Sequence, residues 1–195
     1  MAPTRPRESG LLDALTGIPP VAMTTQAWRV VRDGRDPLQC SSAGGRWDDR
    51  TFDVFYTSTA RDGALSKMYF HLARGQPVFP SQMRYRLFEL EIRLDSCLRL
   101  ETLDALAGLG VNTAAFGQLS YAEREREYPR TQDIAEAAYF IGHDGIMVPS
   151  ARAPYGNVVV FCEPAGPGAV GVVRDHGLID WTAWRRDHIG GASPP

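Results

Sequence analysis

The chain has little of what usually fixes a class at sight. Its three cysteines, Cys40, Cys97 and Cys162, are far apart, odd in number and form no C-x-x-C. That pattern argues against a disulfide framework and points to a reducing, cytoplasmic setting with unpaired thiols. Without a Cys/His cluster at ligand spacing, no metal site is expected, zinc included. No apolar run approaches the roughly 18 residues that span a bilayer. The start of the chain lacks the apolar core of a signal peptide, since Leu11 to Leu15 is short and broken by Asp13. An excess of either charge is missing too. With 21 Lys and Arg against 23 Asp and Glu, the net charge is −2. A bulk binder of nucleic acid or of an anionic membrane is therefore not expected, nor is there a basic stripe for nucleic acid. The chain shows no internal repeat, no domain linker and no dinucleotide-fold glycine fingerprint.

What is present is ordinary globular material: 44% hydrophobic and 23% charged residues in 195, enough for one domain with a full core. Residues 1–20 read as an N-terminal extension and residues 21–189 as a single domain. Residues 190–195 read as a tail expected to fray. Leu11, Leu12 and Leu15 predict a short helix stopped by Gly17 and Pro19. Ala27 to Val31 predicts a strand with Trp28 and Val30 on one face and Arg29 and Val31 on the other. Residues 33–51 are rich in loop formers, and an ordered loop of that length is often functional. Val54 to Ser58 predicts a strand. A helix follows from about Ala60 to Arg74, with Ala64, Leu65, Met68 and Leu72 on its apolar face and Gly75 and Pro77 ending it.

Tyr85 to Leu94 alternates as an antiparallel strand, with Tyr85, Leu87, Glu89 and Glu91 on its wet side. A strand end and a short helix are predicted over Leu98 to Leu106. Alternating charges in Ser120 to Tyr128 suit a solvated surface. Thr131 suits the N-cap of a helix that stops at Gly142. Two buried strands, Ile146 to Val148 and Asn157 to Phe161, flank a loop with Ser150, Arg152 and Tyr155. A strand at Ala169 to Arg174 and a helix at Asp180 to Asp187 follow.

The densest chemistry lies between Gly44 and His71. A glycine pair precedes Arg46 and Trp47, Tyr56 ends the apolar run Val54 to Tyr56, and Lys67 and His71 sit one helical turn apart. Glycines permit close approach of backbone to a ligand. A guanidinium fork matches phosphate, and a tyrosine offers a flat face and a hydroxyl. The parts suit an anionic, ring-bearing ligand. They equally suit a turn, a core strand and an amphipathic surface helix, and residue types alone do not separate these.

In order and spacing, Trp28-Arg29, Gly44-Gly45-Arg46-Trp47, Phe55-Tyr56-Thr57, Ala64-Leu65 and Asp144 to Arg152 resemble the RES-domain family of bacterial toxins, and its ParT-like branch in particular. The likeness covers roughly residues 26 to 163. The family is named for an Arg, a Glu and a Ser. Arg46 and Ser150 fall on the first and third, and Lys67 falls where the family has Glu.

The resemblance implies an α+β, ADP-ribosyltransferase-like fold with central, mostly antiparallel β-sheets and flanking helices. It implies NAD as substrate, held in a cleft between sheets, and cleavage of the nicotinamide–ribose bond through a cation-like transition state. The product is ADP-ribose transferred to a protein, with phosphoribosyl-pyrophosphate synthetase as the implied target, or NAD degraded outright. Arg46 and Arg29 then hold phosphates with Gly45 alongside. Tyr56 stacks on the nicotinamide, Ser150 bonds at the nicotinamide end, and His71 reaches the ribose or the acceptor. Lys67 inverts the sign of the group meant to face the developing cation, so this chain is expected to be weakened or silent. A silent NAD-binding module is the other class left open. The implied partner is an Xre-type antitoxin, in a hetero-oligomer.

Overall fold

Alternation and one long strand organise the molecule. In the computed structural model, residues 7–73, 83–117, 124–151 and 153–189 are described. Strand β1, Val21–Arg32, extends the alternating run to both sides and pairs antiparallel with β3, Tyr85–Arg99, along nearly its whole length. On its other side β3 has two neighbours. Its first part pairs antiparallel with β6, Val170–Leu178. Its end, Cys97 to Arg99, pairs in parallel with β4, Gly145–Pro149. Strand β4 pairs antiparallel with β5, Gly156–Phe161, and β5 with β2, Val54–Tyr56. Just beyond β2, Ser58 and Trp28 exchange backbone hydrogen bonds of 2.9 and 2.8 Å, so the path returns to β1.

The expected α+β class with mostly antiparallel pairing is thus the observed one. Among the described residues the strands form one continuous six-stranded sheet rather than separate sheets.

The helices cover this sheet. Helix α1, Ser9–Thr16, inserts Leu11 and Leu15 into the cluster around α4, Arg124–Phe140. Helix α2, Arg61–Ala73, lays Ala64, Leu65 and Leu72 against Val30 of β1. Helix α3, Leu103–Gly108, is capped by the Thr102 hydroxyl, which accepts the Ala105 N–H at 3.1 Å. A single turn α5, Cys162–Ala165, follows β5, and α6, Trp181–Ile189, closes the α2 side through Trp181.

Several expectations are corrected. Leu87 sits on the predicted wet face of β3 but is buried, because α2 and α6 cover that end of the strand. Helix α4 begins by Arg124, so Thr131 lies inside it rather than capping it. Pro129 removes one backbone donor there, and the Thr131 hydroxyl donates to the Tyr128 carbonyl at 2.9 Å. Cys40 and Cys162 are not free thiols: they form a disulfide across 122 residues, and only Cys97 remains free and buried. The pairing follows from the loop after β1, which is brought beside β5 by the Ser41–Val54 bridge and by the Cys162 N–H bonded to the Asp53 carbonyl. The spacing G-x-G-x-x-G does occur, at Gly166, Gly168 and Gly171, but it leads into strand β6, not into a helix. Gly75, Pro77, Arg152 and Gly190 to Pro195 lie outside the described residues.

Candidate active site

The loop Gly44 to Asp48 is built around a buried carboxylate. Asp48, fully shielded from solvent, accepts the N–H groups of Gly44 and Gly45, both at 2.6 Å. The Tyr56 hydroxyl donates to Asp48 Oδ2 at 3.1 Å and accepts the Trp47 N–H at 2.9 Å. From α4, the Gln132 amide donates to the carbonyls of Gly45 (2.8 Å) and Asp48 (3.1 Å). Gly44 has φ +83, where a side chain is disfavoured. A Cβ on Gly45 would stand 2.6 Å from the Tyr56 hydroxyl and 2.9 Å from Asp48 Oδ2. The close approach that Gly45 permits is therefore to Tyr56 and Asp48.

This loop delivers Arg46 to one side of a cavity of about 380 Å³. The seven residues singled out from sequence, Arg29, Gly45, Arg46, Tyr56, Lys67, His71 and Ser150, all line it. They come from β1, the loop, β2, α2 and the end of β4. The cavity opens where β1 and β2 meet, beside α2. Its size falls in the range of small-ligand sites.

The basic groups are held in different ways. Arg46 pairs with Glu127 at 2.7 Å, and its guanidinium lies 4.6 Å from the Phe116 ring centre and 4.8 Å from that of Tyr128. Glu127 also accepts the Gly117 N–H at 2.6 Å. Arg29 donates to the carbonyls of Pro37 (3.0 Å) and Gln39 (2.9 Å) and covers the Phe55 ring at 4.0 Å. It thus anchors the loop that carries Arg46 while presenting charge to the cavity. Burial lowers its pKa to about 10, with Asp36 opposing that shift. Lys67 places Nζ 4.7 Å from the centre of the Tyr56 ring. Burial, followed by the like charges of Arg29 and Arg46, lowers its pKa to about 8. Burial and then the nearby Asp48 carboxylate push the Tyr56 phenol well above its ordinary value, so it stays a neutral donor.

His71 lies at an exposed position one turn past Lys67, and the Ser150 N–H donates to the Tyr155 carbonyl at 2.8 Å. Sequence reasoning missed three participants. Asp48 had a signal, an acid three and four residues after a glycine pair. Glu127 had none, because its charge run reads as solvated surface. Asn157, which lines the cavity and is 7% exposed, was absorbed into an apolar strand. The assembled site can hold an anionic ligand and cover an aromatic ring. Among the described residues, Asp48 is the only carboxylate that lines it, and its oxygens are already bonded.

The profile of the RES domain family matches residues 26–184. A chain of the crystal structure of the M. tuberculosis MbcT–MbcA toxin–antitoxin complex superposes with a TM-score of 0.76 at 18% identity, covering 92% of this chain and 97% of that one. No curated protein sequence matches.

Proposed function

The chain belongs to the RES domain family, and from that premise we propose that it is the toxin half of a bacterial toxin–antitoxin pair, with NAD as the ligand of its cavity. Its ancestral chemistry is cleavage of the nicotinamide–ribose bond with transfer of ADP-ribose to a protein, phosphoribosyl-pyrophosphate synthetase being the target we favour. The observation that carries this reading is convergence. Residues picked one by one from segments scattered between positions 29 and 150 line a single cavity. In this reading Arg46, fixed by Glu127, and Arg29 meet the pyrophosphate. Tyr56 offers its ring to the nicotinamide. Ser150 bonds at the same end, and His71 faces the ribose or the acceptor.

Lys67 sets the rate. Two unit charges about 5 Å apart interact by roughly 3 kcal/mol at an effective dielectric of about 20. Replacing a carboxylate by an ammonium beside a developing cation therefore costs up to about 6 kcal/mol, or about four powers of ten. The chain as written is a weak or silent enzyme. A lysine where the family has Glu also favours a second reading, a module that binds NAD or another dinucleotide without turnover. Outright NAD degradation is the other chemistry open to an active form, and it differs in leaving no modified protein.

In this reading its partner is an Xre-type antitoxin in a hetero-oligomer, and a cytoplasmic site of action follows from that partnership alone, since the Cys40–Cys162 bond removes the argument from unpaired thiols. That partner is supported by the similar fold of a toxin solved in complex with an antitoxin. Among the described residues no helix is long and apolar enough to cross a membrane.

The test is in cells. Induced Lys67→Glu should lower cellular NAD and arrest growth, the chain as written should do so far less, and co-expression of the adjacent gene's product should relieve the arrest and copurify. Growth and NAD levels unaffected by Lys67→Glu, with the protein soluble and folded, would remove the toxin reading.

A further inference from the structure

Lys67 is the only lysine in the chain, one residue among 21 Lys and Arg. Its ammonium faces the ring of Tyr56 at 4.7 Å. The charges that act on it most are Arg29 and Arg46, both of its own sign. The other ionisable groups around the cavity do not offset it. Asp48 is bonded to the Gly44 and Gly45 N–H groups and to the Tyr56 hydroxyl. Glu127 pairs with Arg46, and Asp36 acts on Arg29. Tyr56 is a neutral phenol, with Tyr128 and His71 at the rim. The ring face of Tyr56 is thus covered by a cation that no carboxylate among the described residues balances.

We infer that Lys67 makes this cavity selective against a cationic ring: it takes ADP-ribose, and dinucleotides whose ring is uncharged, in preference to NAD+. The inference rests on the proposal that the cavity binds NAD. An aromatic face attracts a cation through its quadrupole, and here Lys67 already occupies that face. The nicotinamide ring of NAD+ carries a positive charge. To stack on Tyr56 it must displace the ammonium or settle within a few ångströms of it, and both are unfavourable. The reduced dinucleotide NADH has nearly the same shape with a neutral ring, and ADP-ribose ends in a neutral sugar. Both keep the pyrophosphate, which Arg29, Arg46 and Lys67 attract together. The lysine thus favours the anionic part of the ligand and disfavours its cationic part.

The test compares three ligands on the full chain by calorimetry near pH 7: ADP-ribose, NAD+ and NADH. The unaltered chain is expected to bind ADP-ribose and NADH at least about tenfold more tightly than NAD+. Lys67→Met, which keeps the apolar stem and removes the charge, should bring NAD+ to within about threefold of NADH. The NAD+/NADH comparison needs no variant, so it stands if Lys67→Met fails to fold. NAD+ bound as tightly as NADH by the unaltered chain would overturn the inference and leave the NAD reading standing. A preference for NADH that survives in Lys67→Met would also overturn it, because another group would then set the selectivity. Binding of none of the three would overturn the NAD reading and the inference together.

Discussion

Arg46 and Glu127, 81 positions apart, form a 2.7 Å ion pair whose side chains are only 10% and 5% exposed. The pair ties the glycine loop to the start of α4 and fixes the guanidinium between two aromatic rings. Removing one partner of a buried pair leaves an uncompensated charge, which costs about 3 to 5 kcal/mol. Glu127→Gln should therefore lower unfolding free energy by roughly that amount in urea titrations and loosen Arg46. An unchanged urea midpoint would mean that Arg46 reaches solvent and the pair contributes little.

The glycine loop gives a second prediction. Asp48→Ala leaves the N–H groups of Gly44 and Gly45 and the Tyr56 hydroxyl without their acceptor. Each buried donor left unpaired costs about 1 to 3 kcal/mol. The variant should lose several kcal/mol of stability. Gly45→Ala should fail similarly by driving a methyl into Tyr56 and Asp48. Wild-type thermal melting of either variant would contradict the loop's construction.

These two cases mark what the sequence reveals. The faces of β1 were legible because period-two alternation separates Trp28 and Val30 from Arg29 and Val31, and the structure puts Trp28 and Val30 with α2. The apolar face of α2 was legible for the same kind of reason. The cavity residues were reachable because their motifs are local and because the order and spacing of those motifs resemble the RES-domain family. Glu127 was not, since an acid in an alternating charge run looks the same whether it faces water or a guanidinium far away in sequence. The Thr131 cap failed because a helix can continue through Pro129 when tertiary packing of Ile134 and Ala138 holds it. The Cys40–Cys162 bond depends on where a loop folds, which spacing does not encode.

That bond is open to a direct count. The denatured protein without reductant should titrate one thiol, Cys97, and three after reduction. Closing so long a loop restricts the unfolded chain, so reduction or Cys40→Ser should cost about 2 to 5 kcal/mol. Three thiols before reduction, in protein prepared under air, would restore the view of free cysteines.

Lys67 can be watched alone, because it is the only lysine. Reductive methylation with ¹³C gives one side-chain amine signal besides the chain terminus, and its titration should centre near pH 8 rather than 10.5. The depressed pKa has a stability consequence. Between about pH 8 and 10.5 the unfolded chain binds this proton and the folded chain does not, so stability rises with pH across that window. Below pH 8 both states are protonated and the full penalty of the buried charge applies. Relative to Lys67→Met, the unaltered chain should therefore gain stability from pH 8 to 10, and a flat difference would contradict the burial of Lys67.

The proposed NAD site has its chemistry set by the charge at position 67. Release of free nicotinamide from NAD, measured side by side for the chain as written and for Lys67→Glu, tests it most directly. Little or no release is expected from the first and a rate up to about four powers of ten higher from the second. Equal rates from the two folded proteins would contradict it and remove Lys67 from the site's chemistry.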